Sequence, residues 1–298
     1  MSSTRVNPFP MPDLLAALEQ LQTKQSNATL ELATGSSINQ PSDNPAGAAQ
    51  IIKINDLSSE VDSFQRSIGS ISGQFSTADS TLSSVVTALQ RALSLGVEGA
   101  NGTLSDADRQ AIAVELTGIQ SQLLSLANTS YQGQYIFSGT ATTAKPFVVD
   151  PTQPSGIHYV GNTGTNSVTI GSGYQLQVNL PGSQIFNGTG GDMFLAMNDL
   201  ITSLKSDTGI GAAVTELGNA FSYVTGQRVF YGNALNQTQS QQTYLSTQTL
   251  SLSQQLNTIG GANIAEVASQ FVTDQAAQTA TLEAIGKTSQ ASLFDYLK

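Results

Sequence analysis

Between Ile54 and Gly96 the apolar residues fall at Ile54, Leu57, Val61, Phe64, Ile68, Ile71, Phe75, Ala78, Leu82, Val85, Leu89 and Ala92, with Gly96 next in step. Steps of three and four alternate without a slip. That is a heptad seam, the pattern of a long helix in a left-handed bundle. With its lead-in from about Ala46 it predicts a helix of roughly 50 residues, about 75 Å long at 1.5 Å per residue. No compact domain needs such a rod, so it is read as the spine of something elongated.

A spine needs a partner. Ile210, Val214, Leu217, Phe221, Val224, Arg228, Tyr231, Leu235, Thr238, Gln242, Leu245, Thr249, Leu252, Leu256 and Ile259 repeat the spacing, with a polar middle. Polar seam positions fix register at some cost in stability. Ile68, Ile71, Phe75, Leu82, Leu89, Leu217, Phe221 and Leu252 are the expected core of the two seams. The matched rods bracket a central excursion, which predicts that they lie antiparallel.

The surface of such a bundle is unusual in this chain. Only 11% of the 298 residues are charged and 39% are hydrophobic; Ser, Thr, Gln, Asn and Gly make up the balance. Uncharged polar groups cost less to desolvate than ions, so this surface suits a protein whose faces are covered by neighbours. The formal net charge of −10 argues against nucleic acid as a ligand. There is no cysteine, hence no disulfide or thiol chemistry. No run of 18 apolar residues is present to span a membrane, and the N-terminus lacks the apolar core of a cleavable secretory signal.

Outside the rods, the three prolines between Met1 and Pro12 predict an extended start. Asp13 is placed to cap a helix carrying Leu14, Leu18, Leu21, Gln25, Ala28 and Leu32, which Gly35 ends. Ser36 to Pro45 reads as a loop, and Asp43-Asn44 between its prolines as an Asx-type turn rather than a calcium site. Gly96 to Thr103 reads as a turn, with Ser105 and Asp108 as a capping pair for a third helix to about Asn128. Thr140 to about Gly191 reads as a small β domain, with strands at Ile157–Val160, Val168–Ile170 and Tyr174–Leu180. Gly260-Gly261 breaks the second rod, and a last amphipathic segment carries Ile264, Val267, Phe271, Leu282, Ile285, Leu293, Phe294 and Leu297.

The fold class expected is therefore mainly α with a small β domain. Long antiparallel heptad helices form an elongated bundle, with the N- and C-terminal helices paired at one end and the β-rich insert at the other. The divisions expected are 1–45 with 260–298, 46–139 with 192–259, and 140–191.

Catalysis finds little support. His158 is the single histidine, and the β-rich stretch offers only Lys145, Asp150 and His158 as titratable groups. Asp106 and Asp108 suit the first turn of a helix. Gly188, Gly190 and Gly191 lack the Lys-Ser/Thr of a phosphate loop. No enzyme, cofactor or metal is expected. Gly69 and Gly73 make a small-residue face on the spine that would admit close packing by a neighbour. The terminal stripes differ again: short amphipathic helices cannot bury both faces, so Leu14, Leu18, Leu21, Phe271, Leu282, Ile285, Leu293 and Leu297 are the expected assembly interface. With loops uncoupling them from the rods, these segments are expected to be loosely helical until neighbours cover them.

Six stretches resemble a known family. SINQPSDNPAG (Ser37 to Gly47) is similar to the loop after the first helix of hook-associated protein 3, the flagellar hook–filament junction family. DRQAIAVEL (Asp108 to Leu116), ANTSYQGQYIFSGT (Ala127 to Thr140) with Pro146-Phe147, Arg228 with Gly232 to Asn236, NIAEVASQF (Asn263 to Phe271) and SLFDYL (Ser292 to Leu297) follow in that family's order. Asn44 stands where the family usually has an aspartate. The resemblance implies a structural part of the bacterial flagellum, outside the cell. It would be a ring of copies of itself between hook-associated protein 1 and flagellin, exported through the flagellar type III channel. It also implies a cytosolic export chaperone on the C-terminal helix. A small flagellin is the near alternative, and a non-flagellar coiled-coil scaffold a more distant one.

Overall fold

The computed structural model describes residues 11–296. Among them are seven helices: α1 (Met11–Thr34), α2 (Pro45–Gly99), α3 (Asp106–Ala127), α4 (Gly182–Phe186), α5 (Met193–Ser206), α6 (Ile210–Gly260) and α7 (Ile264–Tyr296). Eight short strands lie between α3 and α5: β1 (Ser130–Tyr131), β2 (Gln134–Tyr135), β3 (Phe147–Val149), β4 (Ile157–Tyr159), β5 (Ser167–Gly171), β6 (Tyr174–Gln177), β7 (Asn187–Gly188) and β8 (Gly191–Asp192). They pair in order as four separate antiparallel two-stranded ladders. The protein is mainly α with small β hairpins. No helix among the described residues is long and apolar enough to cross a membrane.

The chain divides into two compact units, Met1–Glu60 with Gln248–Lys298, and Val61–Thr247. In the second unit α2 and α6 run antiparallel. As position on α2 falls from Gly96 through Asp79 to Phe75, its partner on α6 rises from Val214 through Arg228 to Tyr231. Ile68, Ile71, Phe75, Leu82, Leu89 and Leu217 are buried between them, and Phe221 is half-buried. Buried polar side chains on and beside the seams are satisfied locally. Buried Thr81 donates its hydroxyl to Thr77 O at 2.8 Å and buried Thr238 to Leu235 O at 2.8 Å, so neither strands a polar group.

Helix ends follow their caps. Ser105 and Asp108 form a reciprocal capping box at the start of α3. Asp192 caps α5 by accepting from Leu195 N at 2.9 Å. The end of α2 differs from expectation: the helix continues through Gly96 to Gly99 instead of turning at Gly96. The reason is packing. A Cβ on Gly96 would meet Leu200 and Val214, and one on Gly99 would meet Leu204. The two glycines let α5 and α6 close onto the last turns of α2.

The excursion is not a self-contained sheet. Its core is aromatic: Phe147 meets Phe186 at 5.5 Å and Phe194 at 5.3 Å between ring centroids, and Phe137 meets Phe186 at 5.2 Å. Phe194 belongs to α5, and buried Tyr231 of α6 stands edge-on to both Phe137 and Phe75. The excursion therefore shares its core with α5 and α6. Strand β3, helix α4 and the β1–β2 hairpin are additions to the expected elements. Asn128 pins β3 by donating Nδ2 to Phe147 O (2.9 Å) and accepting from Phe147 N at Oδ1 (3.0 Å).

Candidate functional site

In the first unit α1 and α7 pack on each other along their lengths. The chain entering and the chain leaving this pair are bonded together. Ser37 N donates to Gly260 O (2.7 Å) and Ala262 N to Gly35 O (2.9 Å), with Ser36 and Gly261 in an antiparallel bridge. The two connections are thus tied to each other at the end of α6, contrary to the expectation that they uncouple the terminal helices. Gly35, at φ +69°, ends α1 in the left-handed conformation open to glycine. Gly260 is buried, with Ile51 at the position a side chain would need.

The loop from Ser36 to Asn44 is held by its own side chains. Asp43 Oδ2 accepts from Asn39 N at 3.0 Å and Gln40 N at 2.8 Å, so the carboxylate reaches back to the residues before it instead of forming the Asx turn expected, which would reach two residues on. Asn44 Oδ1 accepts from Gly47 N at 2.9 Å and caps α2, with Pro45 in the first helical position where its missing N–H costs nothing. Asparagine serves as well as aspartate in that role.

The helix pair itself has almost no core. Ala28 and Asp274 are its buried residues among those described, and Asp274 is 5% exposed. Of the interface residues read from sequence, Leu14, Leu18, Leu21, Phe271 and Ile285 are half-buried, and Leu282 is 51% exposed. Leu293 falls in α7, its side chain outside the described set, and Leu297 lies outside the described residues. Ile264, named on the C-terminal stripe, is exposed; sequence reasoning missed Leu15, Leu30 and Val272, also exposed on the same two helices, Val272 at 64%. Their signal was present, since they lie off the single stripe that was followed. Asp274 accepts from Gln270 Nε2 at 2.9 Å in a groove that Lys24 and Glu31 of α1 also line.

Other sequence candidates resolve as packing. The glycines at 188, 190 and 191 wrap Tyr223: side chains on Gly188 and Gly190 would strike its ring, and Tyr223 Oη donates to Gln184 O at 2.9 Å. Gly73 faces Tyr131 of its own chain, not a neighbour, while Gly69 is open. His158 is exposed on β4 opposite Val148. The Thr152 hydroxyl and N–H hold the Asp150 carboxyl below its ordinary value, with His158 adding a minor attraction. Among the described residues no three His, Asp or Glu side chains converge as metal ligands.

Residues 12–142 match the bacterial flagellin N-terminal helical region. Flagellar hook-associated protein 3 of Salmonella typhimurium is 29% identical over 292 residues, 89% of this chain and 90% of that protein. The chain is similar to flagellar hook-associated protein 3. Flagellin of Listeria innocua, by contrast, is 33% identical over 120 residues, 40% of this chain and 42% of that protein. The fold is shared with the flagellar junction protein FlgL from Legionella pneumophila, at a TM-score of 0.62 and 15% identity over 71% of this chain and 100% of that one.

Proposed function

We propose that this chain is a structural component of the bacterial flagellum that joins the hook, through hook-associated protein 1, to the flagellin filament. It does so as a ring of its own copies. The observation that carries this reading is the extent of similarity: 89% of the chain and 90% of the relative with hook-associated protein 3, against 40% of the chain with flagellin of Listeria innocua and 68% of the chain but 54% of the relative with flagellin D of Vibrio anguillarum. The action is packing, not chemistry. In α1 and α7, Leu15, Leu30, Ile264, Val272 and Leu282 are exposed, and the pair has little interior of its own. Covering such side chains is worth roughly 1.5–3 kcal/mol each, enough across several neighbours to offset the ordering they impose. Export through the flagellar type III channel, with a cytosolic chaperone on the C-terminal helix, belongs to the same reading. A chain without cysteine passes unfolded without disulfides to break.

The test is a strain deleted for this gene, viewed by electron microscopy. The reading predicts hooks without filaments and flagellin released into the medium, both reversed by the full-length chain. Normal filaments on the deleted strain would overturn it. Filaments built by the purified chain alone would favour the flagellin alternative.

A further inference from the structure

The junction role leaves one part of the molecule unused. Around the β1–β2 hairpin two local sacrifices converge. Gln132 adopts φ +49° in the turn, a conformation open to glycine and poorly suited to a glutamine. Among the described residues the other such non-glycine is Asp207, which the end of α5 explains. Gly73 sits inside α2, where alanine is the better helix former, and its missing side chain makes room for the Tyr131 hydroxyl. Both features shape one cavity of about 260 Å³ between α2, the hairpin and the start of β5.

The cavity's chemistry is specific. Gln74, Gln134 and Asn166 bring carboxamides, Tyr131 and Tyr135 bring rings with hydroxyls, Thr142 closes one side, and no charged residue lines it. Behind them Asn179 is buried and fully engaged: Oδ1 accepts from Asn166 N (2.7 Å), and Nδ2 donates to Gly139 O (3.2 Å) and Gly164 O (3.1 Å). That wall is rigid. Gln74, in contrast, has a long 3.5 Å contact from Nε2 to Val178 O, which leaves its amide available. An anion or cation here would lose water without a counter-charge, and an apolar ligand would strand the amides and hydroxyls. A ligand that donates and accepts at each polar atom satisfies them, because every carboxamide and hydroxyl in the lining does both. The tyrosine rings offer flat apolar faces to a ligand's carbon skeleton. At about 30 Å³ per water the cavity holds some eight or nine waters, the room that one six-membered sugar ring takes.

We propose that this cavity binds a neutral sugar of hexose size. It is tested on the full-length chain by titrating glucose, galactose, mannose and N-acetylglucosamine, each with its methyl glycoside, and following the amide resonances by NMR. The expected result is saturable binding of at least one of them with a Kd of order 1 mM, and binding of glucuronate about tenfold weaker or worse. Equal affinity for the methyl glycoside marks the end of a glycan as the occupant; loss of affinity marks the free sugar. Gln74→Leu removes the available amide, and Ser70→Trp blocks the cavity from an exposed position on α2. Each should weaken binding about tenfold with the helical circular dichroism unchanged. No titration by any of the four sugars at about 100 mM, far above a millimolar Kd, would overturn the proposal. So would binding that survives both substitutions in a folded protein.

Discussion

Asp79 and Arg228 meet across α2 and α6 in a two-point pair, Nε to Oδ1 at 2.7 Å and Nη2 to Oδ2 at 3.0 Å. The hydrogen bonds to Asp79 raise the arginine's already high pKa further. The pair is about a third exposed, so solvent screening reduces its worth, but its fork geometry fixes the register of two long helices. Arg228→Lys keeps the charge and loses the fork. It is expected to cost about 0.5–1 kcal/mol in denaturant titrations, with Arg228→Ala costing more. Equal stability of all three proteins would remove the register role.

Tyr231 links this seam to the excursion. Its ring is buried, and its hydroxyl accepts from Leu180 N at 3.3 Å. Burial pushes the phenol's pKa well above its ordinary value of 10.0, so its contribution to the folded state is the same at all pH values below that and increasingly disfavours folding as pH rises beyond, where the unfolded phenol ionises first. Tyr231→Phe leaves the Leu180 N–H buried without a partner and should cost about 1–3 kcal/mol. Leu82→Ala, at a fully buried site, should cost about 2–5 kcal/mol, and Val114→Ala, 71% exposed on α3, under about 0.5 kcal/mol. Thermal or denaturant unfolding of the three variants checks the ranking; equal losses would contradict it.

Asp274 is the reverse case. It is a buried carboxylate in a helix pair with little core, bonded to Gln270, with no cation within ion-pair distance among the described residues. Burying a polar group costs free energy unless hydrogen bonds compensate, so an apolar side chain of similar size is expected to be stabilising here. Asp274→Leu should therefore slow amide hydrogen exchange in α1 and α7. Faster exchange in that variant would show that the carboxylate holds the pair together.

Gly73→Leu bears on a different contact from the one the sequence pointed to. A side chain there displaces Tyr131 within the same chain. The expected result is a destabilised β1–β2 hairpin, read as faster exchange over residues 130–135, whether or not the chain assembles. Gly69→Leu, at an open position, should leave the hairpin untouched. Likewise, replacing 140–191 by a short Gly-Ser link should loosen α5, because Phe194 loses Phe147 and Phe186. Retention of full helical circular dichroism and melting temperature would contradict that.

What the sequence revealed and what it hid divide on physical grounds. A long buried seam writes its period into fifty residues, so α2 and α6 were legible from Ile54 to Gly96 and from Ile210 to Ile259. Caps such as Ser105 with Asp108 were legible because both partners lie within one turn. Strand β3 and helix α4 are too short to leave a period, and their positions depend on Asn128 and on aromatic contacts with distant helices. Ser37 and Gly260 stand 223 residues apart, so nothing local announced that the two connections are bonded. What the glycines at 73, 188, 190 and 191 make room for was hidden because their tyrosine partners, Tyr131 and Tyr223, lie elsewhere in the chain.

The central claim is that exposed apolar residues on α1 and α7 serve assembly at the hook–filament junction. Leu15 and Leu282 are each about half exposed, so Leu15→Asp with Leu282→Asp should change the isolated chain's stability by under about 1 kcal/mol. Filaments are then counted by electron microscopy on the gene-deleted strain expressing this double variant. The account predicts that the variant is made and secreted but that the hooks stay bare. Filaments in normal number and length would contradict it.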